Sequence, residues 1–134
     1  MDIVVDANIL FSALIKDDHI RGLLLFIKHK IYVPEFILDE INKYKEEIIK
    51  RGNISEEEFK EVFNEILENS KINIVPKEDF ESYIGKAREI SPDLKDIHYF
   101  ALALKLNCPI CSDDKDFKRQ DKVKILKTSE VDIY

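Results

Sequence analysis

Four carboxylates scattered along the chain, Asp6, Glu40, Asp96 and Asp114, carry the chemistry that its residue types and spacing suggest. Asp6 closes a short β-rich run, Asp2 to Val5, and Asp113 and Asp114 lie just beyond a compact apolar run, Ile110-Cys111-Ser112. In an open parallel sheet, ligands sit outside the carboxyl ends of the strands. The acids at these two strand ends therefore share an edge if the two strands are neighbours. Glu40 and Asp96 can reach that edge from helices. With Ile37, Ile41 and Ile48 as a buried stripe, Glu40 is turned about 100° from Ile41, whereas Asp39 is turned about 200° away. Asp96 falls in the first turns of a later helix, aligned with Phe100, Ala103 and Leu104.

Such a cluster is electrostatically crowded. Two like charges about 4 Å apart repel by about 4 kcal/mol at an effective dielectric of about 20. A divalent cation resolves this, and an oxygen-only set suits Mg²⁺ or Mn²⁺ better than zinc. Bound there, such an ion polarises a phosphodiester and increases the deprotonated fraction of attacking water. Each acid also has a plainer reading: Asp6 as a strand end or helix cap, Glu40 and Asp96 as solvated helix acids, Asp113 as a turn residue. Asn8 can cap the first helix as readily as it can orient water. His98, two residues from Asp96, does not share its helical direction and is left outside the site.

The elements that must position these acids alternate. Asp2–Val5 reads as a strand, followed by helical runs over Ala7 to Lys16 and Ile20 to His29 and a short strand at Ile31 to Val33. Pro34 fits a first helical position, and Ile37, Ile41, Tyr44 and Ile48 mark the apolar stripe of a helix over Pro34 to Arg51. Gly52-Asn53 interrupts it. Ser55 to Glu58 has the spacing of a capping box, opening a helix whose buried face includes Phe59, Val62, Phe63, Ile66 and Leu67. A strand at Ile72 to Val75 precedes a helix around Phe80 to Ala87. Ser91-Pro92-Asp93 reads as the start of a helix from Pro92 to Leu106. Strands at 110–112 and 123–126 complete the pattern, which is that of a three-layer α/β/α sandwich with a mainly parallel sheet.

Composition agrees. The 134 residues suit one domain over 1–134, with about two-thirds of the unfolded chain's surface removed on folding. Hydrophobic residues at 45% against charged residues at 36% exclude a collagen-like, a wholly disordered or an integral membrane chain. A net charge of −6 advertises no broad basic face for duplex DNA or anionic membrane. The N-terminal run has no basic leader, so a cytoplasmic location is expected. Cys108 and Cys111, the only cysteines, form a C-x-x-C pair without partner ligands and read as small core residues.

The stretches VVDANILFSAL, VPEFILDEI, DLKDIHYFALAL and PICSDDKDF together resemble the PIN-domain nucleases, a family that includes toxin ribonucleases. The resemblance covers almost the whole chain and places the family's four acidic positions at Asp6, Glu40, Asp96 and Asp114. It adds Asp116 as an auxiliary metal-binding carboxylate, with turn stabilisation as the other reading of that residue. Ser112 stands where threonine is frequent and keeps the hydroxyl. The resemblance further implies Mg²⁺- or Mn²⁺-dependent endoribonuclease activity, with cleavage to a 5′-phosphate and a 3′-hydroxyl. As partners it implies RNA, an antitoxin or RNA-processing protein, and a second copy in a homodimer.

Lys115, Lys118 and Arg119, or Lys16, could contact phosphates, and Phe117 could offer a stacking surface; solubilisation and turn packing are the plainer and favoured readings. Two competing functions are weighed. A phosphotransfer receiver-like domain lacks a suitably placed lysine on the last strand. A catalytically weak PIN-like module that binds RNA or a protein partner differs from the nuclease in turnover alone.

Overall fold

The computed structural model describes residues 2–15 and 17–131. Five strands, β1 (Asp2–Val5), β2 (Lys30–Pro34), β3 (Ile72–Val75), β4 (Ile110–Cys111) and β5 (Ile125–Leu126), form one sheet in the order β3-β2-β1-β4-β5. Every pairing is parallel. The α-helices among the described residues are α1 (Ala7–Leu14), α2 (Asp18–Phe26), α3 (Phe36–Gly52), α4 (Glu56–Asn69), α5 (Ile84–Ile90) and α6 (Ile97–Leu106). The chain winds outward from β1 to β3, then crosses back past β1 to lay down β4 and β5. With right-handed crossovers, that reversal sends α5 and α6 to the face opposite α1 to α4. It also opens a crevice at the carboxyl ends of β1 and β4, where the winding direction changes.

The expected α/β/α architecture with a parallel sheet is therefore the observed one, and the differences are local. Pro34 ends β2 instead of opening a helix: it pairs with Val75, and the next residue resumes the ladder as Glu35 N–H donates to the Val75 carbonyl at 2.9 Å. A missing N–H is tolerated where a strand stops. The helix expected from Pro92 begins later. Ser91 turns its hydroxyl onto the Asp93 carbonyl at 2.6 Å, Asp93 accepts from Lys95 N–H at 3.0 Å, and a 3-10 turn over Leu94–Asp96 precedes α6. The last strand is Ile125–Leu126, shorter than 123–126.

Ser55 caps α4 as its spacing requires, accepting from Glu58 N–H at 3.0 Å. Asn53 and Asn107 close α3 and α6 in left-handed conformations, with φ of 49° and 50°. Asparagine tolerates that region, and each returns its N–H to carbonyls of the last helical turn.

α6 is buried on two faces. Ile97, Tyr99, Phe100, Ala101, Leu102 and Ala103 are all buried because the helix lies on β1, β2 and β4 and is covered by α5. An all-round apolar helix is what two buried faces demand. Cys111 is buried and Cys108 half-buried; burial pushes their thiols up to about 12 and about 11, consistent with inert packing residues. His98 stacks on Phe36 at 4.6 Å and meets Phe80 edge-on at 5.8 Å. Among the described residues no helix is long and apolar enough to cross a membrane.

Candidate active site

The site is built from the register of β1 against β4. Val5 pairs with Cys111, so the next residues, Asp6 and Ser112, emerge side by side at the carboxyl edge. The Ser112 hydroxyl donates to Asp6 Oδ2 at 2.6 Å and accepts from Asp114 N–H at 3.1 Å. Asp6 is also the residue that starts α1: its Oδ1 accepts from Ile9 N–H at 3.1 Å. Capping and a place at the cleft are thus one arrangement, and Asn8, exposed at the cleft, is not the cap.

Asp6 is only 3% exposed. Burial is the main force pushing its carboxyl up to about 6, with the charges of Asp114 and Asp113 adding to it, against the pull of the Ser112 and Ile9 hydrogen bonds. Asp96 precedes the first residue of α6 but makes no capping bond, which leaves its carboxylate free toward the cleft. Burial first, then Asp93 and, more weakly, Asp6 and Glu40, push it up to about 7, against Lys95. Glu40, from α3, accepts from the Tyr99 hydroxyl at 2.8 Å. Its carboxyl is raised by burial and drawn back by Tyr99, Lys95 and Lys43. Tyr99 is held well above its usual range by burial and by Glu40, so its hydroxyl stays a donor.

Asp6, Glu40, Asp96 and Asp114 thus line a single cleft of about 210 Å³. Asp113 and Asp116 do not, whereas Glu47 does. Asp116 is exposed and gives its backbone N–H to Asp114 Oδ1 at 2.9 Å. Asp113 turns the other way and accepts from the Thr128 N–H and hydroxyl at 2.9 and 2.8 Å, fixing the C-terminal turn. Phe117 is 2% exposed and stacks on Phe100 at 5.4 Å, so it is core and offers no stacking surface. Lys115, Lys118 and Arg119 are exposed but line no part of the cleft, and Lys118 lies 3.8 Å from Glu130. Lys16 lies outside the described residues.

Comparison with known proteins follows the same outline. The family model described as a PIN domain matches residues 4–134. The chain belongs to the PIN-domain family. Among solved structures, the PIN domain is similar to a chain in the crystal structure of VapBC2 from Rickettsia felis bound to a DNA fragment from their promoter. The TM-score is 0.72 at 18% identity, covering 95% of this chain and 98% of that one. No curated protein matches in sequence.

The cleft of this PIN domain contains groups that sequence reasoning missed. Lys95 and Arg51 line it, as do Phe11, Tyr44 and Tyr99. Arg51 is eleven residues beyond Glu40, within about 20° of it around the helix, but it entered the sequence reading only as the end of that helix. Tyr44 read as part of the apolar stripe of the helix and is 37% exposed. Tyr99, three residues after Asp96, follows it on the same helical face, a spacing that could have flagged it.

Among the described residues no three carboxylate, imidazole or thiolate groups stand close enough to form a finished cation cage. The donor set nevertheless fits a hard divalent ion. It is all oxygen, two of its carboxylates are pushed far up by burial and mutual charge, and an incomplete protein shell suits Mg²⁺, which keeps waters and binds phosphate oxygens.

Proposed function

We propose that this PIN domain, residues 1–134, is an Mg²⁺- or Mn²⁺-dependent endoribonuclease that hydrolyses RNA phosphodiester bonds in the cytoplasm. The observation that carries the reading is the meeting of Asp6, Glu40, Asp96 and Asp114, from four segments of the chain, in one cleft at the winding reversal of the sheet. Asp6, Asp96 and Asp114 would hold the ion, directly or through water, with Glu40 completing the set and Asp116 supporting Asp114 from outside the cleft. When bound, the ion supplies Lewis-acid polarisation of the phosphate and a more readily deprotonated water.

The chain's own residues do the rest. Ser112 and the first turn of α1 fix both oxygens of Asp6, so its position is set before substrate arrives. Tyr99 holds Glu40 by one oxygen and leaves the other for water. Lys95 brings a cation into the cleft beside the acids, where a substrate phosphate needs one. By family resemblance the products carry a 5′-phosphate and a 3′-hydroxyl. The likeness to a VapBC2 chain supports a toxin role with an antitoxin as partner; self-association as a homodimer and the alternative of an RNA-processing role come from the family resemblance.

The test is cleavage of single-stranded RNA by purified protein with Mg²⁺, Mn²⁺ or chelator, with product-end analysis and Asp6→Asn as the matched control. Metal-dependent cleavage lost in the variant is expected. RNA binding without wild-type turnover would overturn the enzyme reading in favour of the binding module.

A further inference from the structure

Beyond its acidic end the cleft continues along α3, and we propose that this extension is a nucleotide subsite in which Tyr44 stacks one unpaired base of single-stranded RNA and Arg51 ion-pairs with a phosphate further along the strand. The inference rests on the nuclease reading of the same cleft. Glu40, Tyr44 and Arg51 lie on one face of α3 and all line the cleft. At the helical rise, Tyr44 is about 6 Å and Arg51 about 16 Å beyond Glu40 along the axis. The four-acid cluster therefore sits at one end of a track, an aromatic ring comes next, and a guanidinium closes it, with the Glu47 carboxylate between the last two.

The chemistry of the track matches a nucleotide strand. Tyr44 keeps 37% exposure, large for an aromatic ring on the wall of a cleft, while Phe11 braces it edge-on at 5.8 Å with 66° between the rings. A ring held by its neighbour keeps little conformational entropy to lose on stacking. The Lys43 ammonium lies over the Tyr44 ring, 5.3 Å from its centroid, so one face of the ring carries a cation and a base would stack on the other. Arg51 forms no ion pair among the described residues, although Glu47, one turn earlier, lines the same stretch. In a chain of net charge −6, a guanidinium without an ion pair among the described residues, on the wall of an acidic cleft, complements a phosphate that flanks the one being cut. Stacking needs an exposed π-face, which a paired base inside a duplex does not present.

The test measures binding apart from cleavage. A fluorescein-labelled single-stranded RNA is titrated into the Asp6→Asn protein in chelator, alone and combined with Tyr44→Phe, Tyr44→Leu or Arg51→Ala. Tyr44→Phe should bind like its parent, whereas Tyr44→Leu, which keeps apolar contact with Phe11, should bind about tenfold more weakly. Arg51→Ala should weaken binding and flatten the slope of log K against log salt by about 0.7. An RNA carrying one abasic nucleotide, moved through the sequence, should lose affinity at one position, and Tyr44→Leu should add nothing there. Parental affinity in Tyr44→Leu, or additivity with the abasic site, would overturn the subsite. Wild-type cleavage without Tyr44 dependence sinks the subsite alone. Tyr44-dependent binding without wild-type cleavage sinks the nuclease reading and supports the subsite.

Discussion

Two helices meet the cleft with an aspartate just ahead of their first residue, and the two aspartates are held in opposite ways. At α1, Asp6 spends one oxygen on Ile9 N–H and the other on the Ser112 hydroxyl. At α6, Asp96 makes no capping bond, and the only local cap, on the 3-10 turn before it, comes from Asp93. Asp6 is the more deeply buried, yet its carboxyl rises to about 6 where that of Asp96 rises to about 7. Hydrogen bonds to the ionised form offset desolvation at Asp6, and Asp96 lacks them while facing Asp93, Asp6 and Glu40. The fold uses the carboxylate of Asp6, whereas the carboxylate of Asp96 makes no hydrogen bond or ion pair among the described residues. An acid that leaves a helix start uncapped and sits beside other acids points to chemistry.

The largest expected effect is one that the two share. Asp6→Asn and Asp96→Asn should each lower the initial rate of metal-dependent RNA cleavage by about a hundredfold or more, the loss typical of a preorganised charge at a reacting centre. A normal rate in Asp96→Asn would remove the functional half of the contrast. Stability should then separate them. In chelator, Asp6→Ala removes a cap and strands the Ser112 hydroxyl, lowering unfolding free energy in urea by about 1–3 kcal/mol. Asp96→Ala should leave it unchanged or raise it.

The pH dependence of the metal-free protein sharpens the same comparison. Both folded pKa values lie above the ordinary carboxylate value, so the ionised forms are penalised in the folded state. Stability should be highest where both acids are protonated, fall as pH rises from about 4 towards 7, and level off beyond. Thermal melts in chelator should show this fall, flattened in Asp6→Asn and Asp96→Asn. Adding Mg²⁺ or Mn²⁺ at pH 8 should raise the wild-type melting temperature by mass action and leave both variants unmoved. A wild-type profile that rises with pH would mean that the cluster is not electrostatically burdened.

The sheet was legible in the sequence because its strands are short apolar runs bounded by charge, and α4 because Ser55 and its apolar face agree. Asp6 was legible for the same reason: it interrupts an apolar run where a helical period begins. What stayed hidden depends on contacts between distant segments. Nothing local says that Asp113 will reach Thr128 while Asp114 turns to the cleft, since adjacent residues diverge through a single turn. Phe117 could be read as a stacking surface or as packing for the C-terminal turn, and the approach of Phe100 shows that it is core. Pro34 and Pro92 misled in the same direction. Each fits a helix start, but strand pairing claimed Pro34, and Asp93 capped a later turn in place of Ser91.

The smallest expected effect concerns a third element that joins the two helices' acids to α3. Tyr99, buried in α6, donates to Glu40 across 59 residues of sequence at 2.8 Å. Tyr99→Phe keeps the packing and removes this bond, so stability should fall by about 1 kcal/mol. Cleavage should fall only a few-fold, because Glu40 keeps its place on α3 and loses only the group that orients one oxygen. The loss should appear in kcat more than in KM, since orienting a group that acts at the reacting centre matters most in the transition state. A loss as large as that of Asp96→Asn would place the Tyr99 hydroxyl itself against the reacting groups. The division of labour between the two aspartates would then extend to a phenol that the same helix contributes three residues later.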